Sequence, residues 1–394
     1  MSQVAVAEQG KKIFFPNLDG LRFIAFFTVF LQHGRGKWTE NFPQFTSIWH
    51  RLVVLILHLG GEGVSLFFVL SGFLITYLLI HEKNKSGRIN ILFFYMRRAL
   101  RIWPLYYLLA LLNFTFYDWL CDYLGWKNTA LSPLLVGLFL TNFDILNLTK
   151  AKAIYHTLIN PSWSVAIEEQ FYLVWPVLFS LVSQKLMRYV FPAIIVIAYV
   201  FRFVNRHDPV VTYFHTLSVC GDLAMGGMFA YLIYYSNSFK AFIENIKKPV
   251  IVLAYICGLV WMFFVLGIKH NGAVDFTFRL GNCLFFSFII LEQNFSKSSF
   301  YKFSNFKLIS RWGKYTYGLY LLHLPVIRLT TEFFDRVVPG FNTAYFINDL
   351  LLRVITLAIS MLIAYLSYHF FEIKFLKIKE RYAIIKTASQ VKDA

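Results

Sequence analysis

Two ionisable residues in the first apolar segment of the chain, Arg22 and His33, have side chains suited to binding and catalysis. They are eleven residues apart, and at 100° per residue a helix returns them to within about 20° of one face, about 16 Å apart along its axis. Asp19, one turn before Arg22, is placed to form an ion pair with it. An imidazole can serve near neutral pH as a general base or as an acyl-accepting nucleophile. The alternative is that Arg22 anchors the helix in a membrane interface and His33 only begins the next loop.

A second basic motif, Arg98 and Arg101, places two guanidinium groups one helical turn apart at the start of another apolar segment. Groups with this spacing suit bidentate contacts to phosphate, and the positive end of a helix dipole adds to the attraction. Clustered arginines at a helix start can equally be lipid-headgroup anchors, and both interpretations stay open.

Acidic and hydroxyl side chains follow the sequence Asn160-Pro-Ser. Ser164, Glu168 and Tyr172 are spaced by four residues and line one face of the predicted helix. A carboxylate two turns into an apolar segment is costly and is not explained as an interfacial anchor. We therefore interpret Glu168 as functional.

A further histidine, His323, lies in the middle of an apolar segment, one turn after Tyr320. A histidine hydrogen-bonded inside a helical bundle is usually structural, so we rank His323 below His33 as a catalytic candidate. The sequence contains no zinc-ligand motif, no cysteine pair at metal-ligand spacing and no nucleotide-binding glycine loop, so no metal is expected.

Composition indicates that membrane helices position these residues. Apolar residues make up 58% of the 394 and charged residues only 15%, whereas soluble domains carry about 25% charged residues. The formal charge of +17 could indicate nucleic-acid binding, but the Lys and Arg residues cluster between apolar runs, as expected for loops that face anionic membrane lipids. No nucleic-acid partner is therefore expected.

Ten apolar stretches approach spanning length, which predicts an all-α polytopic bundle of about ten transmembrane helices. Two shorter stretches, 52–59 and 130–142, are not predicted to cross. The ten stretches are 20–36, 63–80, 99–117, 164–183, 189–203, 211–235, 250–267, 277–293, 315–331 and 350–372.

Charge asymmetry supports this count and orients the chain. With both termini cytoplasmic, the inside segments hold 23 of the 38 Lys and Arg residues and the outside loops hold nine. No repeat or flexible linker divides the sequence, so we expect one membrane domain over residues 1–394, with short cytoplasmic tails at 1–17 and 373–394.

In combination, these segments resemble the bacterial acyltransferase-3 family of membrane O-acyltransferases. The resemblance covers nearly the whole chain, and its motifs occur in order. They are Leu18-Asp-Gly-Leu-Arg22, Gln32-His33, Phe67-Phe-Val-Leu-Ser-Gly-Phe73, Arg97-Arg-Ala-Leu-Arg-Ile-Trp-Pro104, Ser162-Trp-Ser-Val-Ala-Ile-Glu-Glu-Gln-Phe-Tyr172 and Tyr317-Gly-Leu-Tyr-Leu-Leu-His323. One departure is Ser65, which stands where many members have aspartate.

The resemblance implies acyl transfer, commonly of acetyl from acetyl-CoA to a sugar hydroxyl in an envelope glycan, at the bacterial inner membrane. Arg98 and Arg101, with Arg22, are then expected to bind the acyl-CoA donor, and His33 to act as base or nucleophile. We expect Glu168 to orient the imidazole or the acceptor, and Ser164, Tyr172, Tyr320 and His323 to support the site. The alternative is a transporter or flippase of polar solutes, although no inverted repeat supports it.

The charge asymmetry predicts that positions 85 and 305 both face the cytoplasm. Single cysteines introduced there should react with an impermeant maleimide only after the cells are opened. Labelling of either position in intact cells would contradict the orientation.

Overall fold

The fold is described from a computed structural model. It covers residues 15–34, 52–53, 56–125, 129–153, 157–267, 272–338, 341 and 345–384. Within these ranges the regular structure is entirely helical. Part of the shorter apolar stretch 52–59 lies outside the described residues.

Ten helices of 18 to 27 residues lie in the described ranges, one at each of the ten predicted apolar stretches. Helices suit such stretches because every backbone polar group finds its partner inside the segment. They are α1 (Pro16–His33), α2 (Gly60–Ser86), α3 (Ile91–Leu112), α4 (Ser162–Leu181), α5 (Gln184–Val204), α6 (Thr216–Tyr235), α7 (Lys248–Gly267), α8 (Gly272–Phe295), α9 (Thr316–Val337) and α10 (Phe346–Ser367).

Shorter elements connect these helices. The predicted non-crossing stretch 130–142 overlaps two of them, Pro133–Gly137 and Thr141–Lys150, and neither is long enough to span a bilayer. A π-helical turn, Tyr368–Glu372, continues α10 into α11 (Ile373–Lys379). The other short elements are Asn113–Tyr117 (π), Asp118–Tyr123, Pro209–Phe214, Asn237–Glu244, Phe303–Asn305 (3₁₀), Lys307–Gly313 and Glu380–Tyr382 (3₁₀).

Helix length and apolarity identify the chain as a membrane protein. Five helical segments of the described chain are long and apolar enough to cross a membrane, and a sixth is added if the bent pair Asn237–Glu244 and Lys248–Phe264 is one span. The remaining long helices, α1, α4, α8 and α9, are interrupted by charged and amide residues. The count of ten spans therefore stays a prediction.

The helix ends meet at two opposite ends of the bundle. At the end that we call the basic end, the start of α3 meets the end of α2 through an Arg97–Glu82 ion pair of 2.8 Å. The start of α1 meets the end of α8 there, where Asn17 Nδ2 donates to the Gln293 carbonyl at 2.7 Å. Further contacts at this end are Lys83 with Phe179, Tyr231 with Gln184, and Lys297 with Glu244. His33 ends α1 at the opposite end, which we call the histidine end.

Glycines set the close packing between α2 and α6 at the centre of the bundle. A Cβ atom at Gly72 would overlap the backbone carbonyl of Leu223, and one at Gly226 would overlap that of Val69. Gly72 and Gly226 therefore permit the close approach of these two helices, as is usual where small residues allow membrane helices to touch.

Gly72→Ala should therefore lower the thermal stability of the purified protein, because an added methyl group forces α2 and α6 apart at a cost of about 1–3 kcal/mol. The matched control is Gly137→Ala, since no atom lies within 4 Å of a Cβ at Gly137. Melting temperatures in detergent give the comparison. Equal melting temperatures for the two variants would contradict this account of the helix contact.

Candidate active site

A cavity of about 590 Å³ runs inward from the basic end between α1, α2, α3, α4, α9 and the C-terminal residues. This volume lies within the usual range for small-molecule sites. Polar side chains that line it include Asp19, Arg22, Ser71, Glu82, Arg97, Arg98, Arg101, Ser164, Glu168, Tyr172, Lys314, Tyr320, Glu372, Lys379 and Glu380. It therefore brings together most of the residues selected from the sequence, but neither His33 nor His323 is among its described lining residues.

Two of the cavity's arginines are held in ion pairs. Arg22 Nη1 lies 2.9 Å from Asp19 Oδ1, which confirms the predicted pairing within α1. Arg97 Nη2 lies 2.8 Å from Glu82 Oε2, and the other oxygen of this buried carboxylate accepts from the Asn90 backbone N–H. Both guanidinium charges are thus compensated by the protein itself.

Arg98 and Arg101 differ from these arginines. Both line the cavity one turn apart on α3, as the sequence predicted. Among the described residues neither has an ion-pair partner or a hydrogen bond to its side chain, and Arg98 Nε is buried without a hydrogen-bond acceptor. The Arg98 guanidinium lies over the rings of Phe94 and Tyr172, 5.7 and 5.8 Å from their centroids. Because Arg98 and Arg101 line a cavity inside the bundle, the structure favours an anion-binding role for them over a role as lipid-headgroup anchors.

Glu168 lies on the α4 face predicted to carry Ser164, Glu168 and Tyr172, and all three line the cavity. Its carboxylate accepts a hydrogen bond from Ser71 Oγ at 2.7 Å and from the Tyr172 hydroxyl at 3.2 Å. The expected contact between Glu168 and the His33 imidazole is not among these bonds. Ser71, which was not among the candidate site residues selected from the sequence, therefore supports Glu168.

Ser164 connects α4 to α9. Its Oγ lies 3.0 Å from the Pro161 carbonyl and 2.7 Å from the Tyr320 hydroxyl. Because the carbonyl can only accept, the serine proton points to Pro161 and the Tyr320 hydroxyl donates to Ser164. This places the ring of Tyr320 at the inner wall of the cavity.

The two candidate histidines contact each other directly. His33 Nδ1 lies 2.9 Å from His323 Nε2, and His323 Nδ1 lies 2.8 Å from the Tyr320 carbonyl. That carbonyl can only accept, so His323 Nδ1 carries the proton and, in the neutral ring, Nε2 is the acceptor. His33 Nδ1 then donates, which leaves the lone pair of neutral His33 on Nε2. His323 is completely buried, whereas His33 is exposed at the histidine end.

Sequence reasoning did not find this pair, because the two residues are 290 positions apart and each was weighed within its own helix. It also missed Arg353 of α10. The Arg353 side chain bonds Asp349 at 2.7 Å and donates to the Leu31 carbonyl at 2.8 Å, which holds the end of α1 that carries His33.

Comparison with known proteins finds a matching family and several similar proteins. The family described as an acyltransferase domain matches residues 15–369. The chain is 27% identical to the O-acetyltransferase OatA of Staphylococcus aureus (strain NCTC 8325 / PS 47) over 91% of its own length and 57% of that protein. It is 26% identical to the peptidoglycan O-acetyltransferase OatA of Listeria monocytogenes serovar 1/2a, over 91% of its length and 55% of that protein. No solved structure matches.

The division between paired and unpaired arginines predicts opposite effects of two neighbouring substitutions. Arg97→Met leaves the buried Glu82 carboxylate without its ion-pair partner and should lower the free energy of unfolding by about 3–5 kcal/mol. Arg98→Met removes a charge that has no ion-pair partner among the described residues, so stability should stay the same or rise. The melting temperatures of both purified variants in the same detergent give the comparison. An equal decrease in both variants would contradict the predicted difference.

Proposed function

The chain belongs to the acyltransferase-3 family, and on that premise we propose that it is a membrane O-acetyltransferase that acetylates a sugar hydroxyl. The observation that carries the proposal is the cavity, which has arginines without an ion-pair partner among the described residues towards one end of the bundle and, in its inner wall, Tyr320, whose carbonyl is hydrogen-bonded to His323 of the histidine pair. The names of the two relatives support acetyl transfer, and that of the Listeria protein supports peptidoglycan as the acceptor class. The chain spans only 57% and 55% of those proteins, so their activity and acceptor are proposed for it.

The proposed donor is acetyl-CoA, bound from the basic end. Arg98 and Arg101 supply two forks of N–H donors for its phosphates, and Arg22 contributes from α1 while held by Asp19. The apolar walls formed by α2 and α4 accommodate the pantetheine arm. Bound in this way, the donor directs its thioester towards Ser164 and Tyr320.

His33 is the proposed general base. Its Nε2 accepts the proton of the acceptor hydroxyl while the hydroxyl oxygen attacks the thioester carbonyl carbon. The new bond is C–O and the bond that breaks is C–S. The proton held by His33 then passes to the departing thiolate, so the products are the acetylated sugar and CoA with a free thiol.

His323 is the proposed positioning residue for His33. By accepting the Nδ1 proton of His33, it fixes the tautomer in which Nε2 is basic, and it stabilises the imidazolium that forms. Glu168, bonded to Ser71 and Tyr172, is proposed to hold the cavity wall beside the arginines or to contact the acceptor.

The proposed setting is the bacterial plasma membrane, with ten spans and both termini cytoplasmic. In this orientation the basic end faces the acyl-CoA pool and the anionic inner leaflet, and the histidine end faces the envelope. The transporter or flippase alternative has no comparable support, since the matched family is one of acyltransferases.

His33→Ala should keep the fold and CoA binding but lower turnover by about 10²–10⁴-fold, the usual contribution of a positioned acid–base group. His33→Gln should be equally impaired, because an amide cannot take up the proton. His323→Ala should lower turnover less. The measurement is release of free CoA from acetyl-CoA by the purified protein with a soluble peptidoglycan oligosaccharide as acceptor.

The matched control is His207→Ala, because His207 is an exposed histidine just beyond α5 at the same end of the bundle. Its rate should equal that of the wild type. A folded His33→Ala protein that turns over at a near wild-type rate would overturn the catalytic assignment.

A further inference from the structure

The segment after the last long helix is part of the cavity wall. We call residues 373–384 the C-terminal segment. It is the start of the predicted cytoplasmic tail 373–394, and the chain forms α11 and a 3₁₀ turn, Glu380–Tyr382, there. Leu376, Lys379 and Ala383 line the cavity. The segment lies beyond residues 15–369, the part shared with the family, so its contribution to the site is not inherited from the family match.

Two contacts hold the C-terminal segment against the start of α3. Arg97 Nη1 donates to the Tyr382 carbonyl at 2.8 Å, and the Tyr382 ring packs edge-on against Phe93 with centroids 5.4 Å apart. Arg97 also carries the ion pair with Glu82, so one guanidinium joins α2, α3 and the C-terminal segment. The segment is thereby fixed across the basic end of the cavity.

Lys379 is held among like charges. Arg101, Arg98 and Arg97 all act on its ammonium group, and the opposite charge that acts on it is its sequence neighbour Glu380. Within the described residues Lys379 makes no hydrogen bond or ion pair. Arg97 is already paired with Glu82, so the cavity's cations without an ion-pair partner among the described residues include Arg98, Arg101 and Lys379. Like charges that are brought together without an anion repel one another and destabilise the folded protein.

We propose that Lys379 is a phosphate-binding residue of the donor site and that the C-terminal segment forms the wall against the nucleotide part of CoA. This inference rests on the proposed function, in which acetyl-CoA enters at the basic end. A ligand with several phosphates relieves the repulsion among Arg98, Arg101 and Lys379, which come from two separate elements. The C-terminal segment then selects donors that carry the phosphorylated nucleotide.

The test is CoA binding to the purified full-length protein by isothermal titration calorimetry. Lys379→Ala should weaken CoA binding about tenfold or more, the effect of losing one charge-assisted hydrogen bond. Lys379→Arg should restore most of the affinity. Lys377→Ala is the matched control, because Lys377 lies two residues away on α11 but is exposed and is not among the described residues that line the cavity. The affinity of the Lys377→Ala variant for CoA should be unchanged. Pantetheine, which lacks the nucleotide, should bind wild type and Lys379→Ala equally.

The outcomes separate this inference from the proposed function. If Arg98→Ala loses CoA binding while Lys379→Ala does not, the donor site stands and the role of Lys379 is wrong. If neither variant changes CoA binding, the donor site itself is wrong. Equal weakening by Lys377→Ala and Lys379→Ala would show a general surface-charge effect and overturn the inference. If Lys379→Ala weakens binding of phosphatidylglycerol but leaves CoA affinity unchanged, Lys379 binds the phosphate of lipid headgroups instead, and the inference is wrong.

Discussion

The cost of burying positive charge inside an apolar helical bundle is the constraint on which the rest of this structure depends. Four buried or half-buried guanidinium groups of the described residues meet it by pairing with a carboxylate. These pairs are Arg22 with Asp19, Arg97 with Glu82, Arg279 with Asp222, and Arg353 with Asp349. Arg98 and Arg101 have no ion-pair partner in the described part of the chain, although they line the same cavity as two arginines that do. A protein that keeps such charges uncompensated loses stability, and a ligand that supplies the missing anion explains why they are kept.

Hydrogen bonds of Tyr320 connect the cavity that holds these charges to a site of different chemistry. Tyr320 joins the two parts, because its hydroxyl bonds Ser164 at the cavity wall while its carbonyl fixes the proton of His323. His323 in turn fixes the tautomer of His33 at the opposite end of the bundle. A donor held by its phosphates at the basic end and an acceptor arriving at the histidine end would thus meet without either one crossing the membrane.

Sequence reasoning succeeded where helix geometry alone decides the outcome. The Asp19–Arg22 pair, the shared face of Ser164, Glu168 and Tyr172, and the ten helical segments follow from spacing and apolarity within one helix. It failed where packing between helices decides, because spacing does not say which faces meet. The His33–His323 contact and the bond from Ser71 to Glu168 belong to this class. In the predicted tail from residue 373, the sequence did not show that Lys379 lines the cavity while Lys374 and Lys377 are exposed.

The central claim is that the unpaired arginines hold the phosphates of acetyl-CoA, with its acyl end directed towards Ser164 and Tyr320. An experimental structure of the protein in a lipid nanodisc with a non-hydrolysable acetyl-CoA analogue tests it most directly. The account predicts phosphate density within hydrogen-bonding distance of Arg98 and Arg101, and the acyl end inside the cavity. Density for a lipid headgroup at these arginines, with the analogue bound elsewhere, would contradict it.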